Sequence, residues 1–157
     1  LRSKADAQRS ADRLDNEAIG IHWEDFAGIS VGPDDQPPHG VFVASQGQAT
    51  ARMIGAIRDL ADEYRFRIIP LPNPNLGMTA YRNLICGDPD AALDRLSGKR
   101  GQLPNTGCTK AQQERVKEGA RYFPLLIRGL PQVHSPDGRV GYQLSGDDLQ
   151  AFLADQP

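Results

Sequence analysis

The most constraining feature of this chain is a change of hydrophobic period between residues 41 and 71. Val41-Phe42-Val43-Ala44 is a short uninterrupted apolar run of the kind carried by a fully buried strand. From Gly47 onward, Met53, Ile54, Ile57, Leu60, Ala61 and Tyr64 recur at helical spacing, with Arg52, Arg58, Asp59 and Glu63 elsewhere on the wheel. Phe66-Arg67-Ile68-Ile69-Pro70-Leu71 returns to strand character and is closed by a Pro-Asn-Pro-Asn turn cluster. A strand, a helix and a strand within about thirty residues form a βαβ unit, whose two strands must be parallel.

The flanking segments extend this unit. Residues 1–18 are polar and charged, and Leu14, Ala18 and Ile21 can form one apolar stripe, which predicts a short helix or helical linker. Ile21-His22-Trp23-Glu24-Asp25-Phe26 follows with the only Trp, then the breaker-rich loop Gly32 to Gly40. Residues 1–39 therefore read as an N-terminal arm and 40–157 as the folded domain. Residues 76–122 read as mainly helical. Segments are expected at Met78–Ile85, at Pro89–Leu96 with Asp88 as N-cap and Gly98 beyond its end, and at Thr109–Tyr122 with Thr109 as N-cap. A Gly/Pro/Asn loop, Gly98 to Gly107, separates the last two. Pro131 to His134 is a short strand, Ser135-Pro136-Asp137-Gly138 a turn, and Arg139 to Leu144 a returning strand. Ser145 caps a closing helix through Leu149, Phe152 and Leu153. This is the element order of a thioredoxin-like α/β fold, a central mixed sheet with a helical insertion at about 76–122.

Composition excludes several functions. Eighteen basic against twenty acidic residues leave a formal charge of -2, so no global field draws the chain to nucleic acid or anionic lipid. No apolar run approaches a membrane span. Leu1 to Arg13 has no signal-peptide core, although an exported chain numbered from its mature start reads the same way. Two cysteines, Cys86 and Cys108, permit one disulfide or two buried thiols, and composition does not choose between them. With three scattered histidines (His22, His39 and His134) they form no usual zinc ligand pairs, so neither metal nor cofactor is expected. Gly32-Pro33-Asp34 is no phosphate loop. Arg52, Arg58, Arg65 and Arg67 are interleaved with Asp59, Asp62 and Glu63 and read as a solvated face. Trp23 and Phe26 either anchor the arm or are exposed for a partner.

Over roughly residues 40–155 the chain resembles the periplasmic DsbC/DsbG-type disulfide isomerases. The resemblance rests on Val41 to Thr50, Arg65 to Pro72, the spacing of Cys86 and Cys108, and the segments Gly129-Leu130-Pro131, Asp137-Gly138 and Gly141-Tyr142-Gln143. It implies a structural Cys86–Cys108 disulfide across the helical insertion and a cis-proline at Pro131, although most X–Pro bonds are trans. In active members the cis-proline loop presents backbone groups to an extended peptide. Here Gly129, Leu130 and Pro131 form either such a binding loop or a turn that only determines the fold.

The chain departs from the family at the chemistry. The resemblance places Gly47, Gln48, Ala49 and Thr50 where the family carries Cys-x-x-Cys, whose first thiolate is favoured by a helix N-terminus. No cysteine lies between Leu1 and Ile85, so disulfide exchange at this turn is excluded. The expectation is an exported, non-catalytic envelope protein that binds a protein or peptide partner. Conjugative transfer or type IV secretion is a possible setting. The alternative is a thiol-disulfide oxidoreductase, isomerase or chaperone-like enzyme working through Cys86 or Cys108. The arm is too short for the family's dimerisation domain, so the expectation is either a monomer or a fragment that dimerises through something else.

Overall fold

The computed structural model describes residues 22–73, 75, 77–99, 103 and 107–154. The helix expected within residues 1–18 and parts of the Gly98–Gly107 loop lie outside the described residues. After a 3-10 turn at Trp23–Asp25 come β1 (Ile29–Val31), β2 (His39–Ala44), α1 (Gln48–Leu60) and β3 (Phe66–Leu71). The insertion holds α2 (Met78–Cys86) and α3 (Pro89–Leu96) and leads into α4 (Lys110–Leu126). The chain closes with β4 (Gln132–His134), β5 (Val140–Gly141) and α5 (Gly146–Ala154).

The five strands form one mixed sheet in the order β1-β3-β2-β4-β5. As the βαβ unit requires, β2 and β3 are parallel, paired from His39↔Phe66 to Ala44↔Leu71. The other three pairings are antiparallel. The edge strand β1 comes from the stretch read as an arm. It is too short for periodicity to reveal, and its partner β3 is distant in sequence. The returning strand expected at Arg139–Leu144 shortens to Val140–Gly141. Beyond it the N–H groups of Gln143 and Leu144 leave the ladder and donate to the carbonyls of Gly129 and Pro131, at 3.1 and 3.0 Å. Gln143 turns the chain there with a φ of 51°.

Strand alternation divides the core in two. Val41, Val43, Phe66, Ile68 and Val133 face Met53, Ile54 and Ile57 of α1, Ala92, Leu93 and Leu96 of α3, and Leu149 and Leu153 of α5. On the other face Phe42 and Ile69 meet Phe26 and Leu126, with Trp23, Tyr122 and Phe123 packed alongside. With both faces covered, β2 reads as a continuous apolar run.

Trp23 and Phe26 anchor the arm. The Trp23 ring lies against the backbone of Gly40, where a Cβ would come within 2.5 Å of it, and 4.8 Å from the His134 ring. Phe26 packs on α4 at Gly119, where a Cβ would approach to 2.8 Å. Any larger residue at either glycine would displace an aromatic ring.

Helix starts and stops follow their caps. Asp88 accepts from Ala91 N–H to begin α3, and Thr109 with Gln112 closes a capping box on α4. α4 runs past the expected end at Tyr122, through Pro124 to Leu126. Proline removes one helical donor along an exposed face, and burial of Leu126 and the bond from Ile127 N–H to Phe123 O hold the last turn. Cys86 ends α2, and its sulfur is bonded to Cys108, just before Thr109, at 2.06 Å.

Candidate functional site at the carboxyl end of the sheet

The β2–β3 register brings Ala44 and Leu71 level at one end of the sheet. The turn into α1 is built there. Ser45 is buried and its hydroxyl donates to Leu71 O. Gly47 takes a φ of 120°, which disfavours a side chain, and caps the helix without a side-chain bond. Gln46 to Ala49 are exposed. Thr50 is buried and donates to Ala44 O at 2.9 Å, pinning the helix start to the strand. Its hydroxyl is therefore committed to a carbonyl, whereas a hydroxyl needs an adjacent base to act as a nucleophile. The four positions keep a strand–turn–helix shape without sulfur.

Antiparallel β2–β4 pairing ends at Phe42↔Gln132, which sets the preceding loop beside the end of β2. The Leu130–Pro131 peptide bond is cis. Gly129 and Pro131 give their carbonyls to Gln143 and Leu144, while the Leu130 backbone between them makes no hydrogen bond among the described residues. The loop is shaped by Gln132, a residue the sequence reading passed over. Gln132 is fully buried. Its Oε1 accepts from the N–H groups of Arg128 and Gly129, at 2.8 and 3.3 Å. Its Nε2 donates to Leu126 O at 2.7 Å and lies 2.8 Å from His134 Nε2. The available signal was a polar side chain in a buried strand, two residues before His134 on the same face.

Two large apolar side chains are exposed among the described residues, Met78 at 53% and Leu125 at 65%. Met78 opens α2 after the loop that leaves β3, and Leu125 lies in the last turn of α4 before the Gly129–Pro131 loop. Chain continuity thus places both toward the end of the sheet that holds the Gly47–Thr50 turn. The two cysteines are both consumed in their disulfide, where α2 ends and α4 is about to begin.

The histidines do not converge. His22 is exposed, whereas His39 and His134 are packed among aromatic rings. Among the described residues no group of three or more His, Cys, Asp or Glu could hold a metal ion. His39 lines a cleft of about 440 Å³ at the opposite end of the sheet, with Tyr64, Pro136, Asp137 and Leu153. Its Nδ1 lies 3.2 Å from Arg65 O and so carries the proton, and Nε2 has no hydrogen-bond partner among the described residues. Burial pulls the His39 pKa below the ordinary 6.5, against the opposing pull of the Arg65 carbonyl; nearby Arg139 lowers it and Asp137 raises it. The folded state therefore holds the neutral ring, and the unfolded chain binds the proton first as pH falls through 6.5. Stability is expected to decline below that pH, and His39→Gln should flatten the dependence in a series of urea melts. Identical pH profiles for the two proteins would refute this.

No family model matches the chain, and no curated protein matches it. Solved structures do. The catalytic domain of Proteus mirabilis ScsC superposes with a TM-score of 0.67 at 17% identity, covering 91% of this chain and 97% of that one. A disulfide interchange protein from Neisseria gonorrhoeae gives 0.59 at 17% identity, with 85% and 96% covered. The thiol-disulfide exchange protein alpha-DsbA2 from Wolbachia pipientis gives 0.55 at 13% identity, with 95% and 97% covered. The fold is thioredoxin-like. At these identities the likeness carries architecture, and residue roles must come from this chain's own site.

Proposed function

We propose that this chain is an exported thioredoxin-fold module that binds an extended segment of a protein partner at the carboxyl end of its sheet, without redox chemistry there. One observation carries the reading: the α1 turn is intact in shape while Gly47, Gln48, Ala49 and Thr50 supply no thiol. The unengaged backbone of Leu130 and the exposed Met78 and Leu125 offer strand-like pairing and apolar contact. The Cys86–Cys108 disulfide suits an oxidising compartment, hence export. No helix among the described residues is long and apolar enough to cross a membrane.

A second reading, thiol-disulfide exchange through Cys86–Cys108, is favoured by the names of the similar structures. Those names carry disulfide interchange and exchange, not conjugative transfer or type IV secretion. Insulin reduction separates the two. The binding module should give no rate above background, and turnover that disappears in Cys86→Ser would establish the second reading. Binding itself is measured with reduced, carboxymethylated lactalbumin as an unfolded probe. Leu125→Glu and Leu130→Trp should each weaken it by about tenfold or more with melting unchanged. Undiminished binding in both variants would remove the site from this end of the sheet.

A further inference from the structure

Two cysteines and two methionines hold all the sulfur in this chain, and all of them lie among the described residues. Cys86 and Cys108 are bonded to each other, so neither offers a thiolate. Met53 lies in the middle of α1, with its side chain fully buried in the core. Met78 is the chain's one exposed thioether, at 53%.

The helix that Met78 opens explains its position. Tyr81, Leu84 and Ile85 form the buried face of α2. Met78 continues that stripe at helical spacing from Tyr81 and Ile85, but at the helix start the stripe has run out of the core. The Tyr81 hydroxyl is buried and donates to the carbonyl of Pro70 at 2.8 Å. Pro70 lies next to the end of β3 and pairs with Val43 of β2. The first turn of α2 is thereby tied beside the carboxyl end of β3, with Met78 one turn outward from Tyr81. Gly77 and Thr79 on either side are exposed, and a Cβ at Gly77 would meet no atom within 4 Å. A small oxidant therefore reaches Met78 without any movement of the fold.

We propose that Met78 is an oxidation site whose modification weakens partner binding at this end of the sheet. This deepens the proposed function and rests on it. The oxidant is hydrogen peroxide, a small uncharged hydroperoxide. A lone pair of the Met78 Sδ attacks one peroxide oxygen, and the S–O bond forms as the O–O bond breaks. The departing hydroxide takes the proton from the transferred oxygen and leaves as water. Sulfur gives up the electron pair that the peroxide gains. The product is a sulfoxide, whose oxygen accepts hydrogen bonds that an apolar partner side chain cannot supply. Because Met78 is exposed, the fold loses little by the change and the cost falls on the complex. At Met53 the same oxygen would have to enter a packed core.

To test this, the protein is treated with hydrogen peroxide, freed of it by gel filtration, mapped by mass spectrometry of its peptides and titrated with the carboxymethylated lactalbumin probe. Met78 should gain one oxygen about tenfold or more faster than Met53. The Met78 sulfoxide form should bind the probe about fivefold or more weakly, with its melting point unchanged. Met78→Leu keeps an apolar side chain that peroxide does not oxidise, and its affinity should be the same before and after treatment. A loss in that variant as large as in the parent protein would place the damage elsewhere and overturn the proposal. A fall in melting point on oxidation of Met78 would assign the lost binding to unfolding and also overturn it. Equal oxidation of the two methionines, or undiminished binding by the sulfoxide form, would overturn it while leaving the proposed function standing. Untreated protein that fails to bind the probe would overturn both.

Discussion

Gln132→Leu is expected to lower unfolding stability by about 3–4 kcal/mol, read as a fall in melting temperature of roughly 10 °C. The size follows from what one side chain satisfies. Its amide bonds the N–H groups of Arg128 and Gly129, the carbonyl of Leu126 and the ring of His134, from a fully buried position. Leucine fills similar space and satisfies none of these groups, so the two N–H groups and the Leu126 carbonyl lose this bond where water enters poorly. The damage should be local first. Amide protons of Arg128 and Gly129 should exchange faster before global stability accounts for it, because Gln132 ties the end of α4 to the loop. Leu125→Ala, at an exposed position seven residues away, should stay within about 0.5 kcal/mol and serves as the control. A change of less than about 1 kcal/mol in Gln132→Leu would show that the loop holds its shape by other means.

Reduction of Cys86–Cys108 should cost about 3 kcal/mol, the chain-entropy value for a separation of 22 residues. In calorimetry that is about 6–12 °C for a chain of this size. The bridge closes a loop containing α3, whose Ala92, Leu93 and Leu96 are buried against the rest of the core. Reduction therefore releases the ends of a segment that its own packing still holds. The far-ultraviolet spectrum should survive while the melting point falls, and the Cys86→Ser, Cys108→Ser double variant should match the reduced protein. An unchanged melting point under reductant would show that the loop is already restrained by the packing of α3.

How much of this was legible in the sequence depended on range. The β2–α1–β3 unit announced itself because each element buries a long side-chain pattern of its own period. Asp88 and Thr109 marked helix starts because capping is settled within three residues. β1 did not, because Ile29-Ser30-Val31 is too short to show alternation and gains its identity only beside Phe66, Arg67 and Ile68. Gly40 likewise looked like the end of a breaker-rich loop. It is a strand residue whose missing side chain makes room for Trp23, a constraint from seventeen residues upstream. At the candidate site, the absence of thiols from Gly47 to Thr50 was plain in the residues. Gln132 was not, since a glutamine becomes a hub only when the carbonyls and N–H groups around it are in place.

The packing of Trp23 has an optical consequence. It is the chain's one tryptophan, held against Gly40 with the rings of Phe26, Phe42 and His134 within 6 Å. Tryptophan emission, excited selectively over the four tyrosines, therefore comes from a single side chain, and its colour and intensity report whether the segment around residue 23 sits on the sheet. A red shift that precedes the loss of helix signal on heating would time the release of that segment separately from the melting of the core.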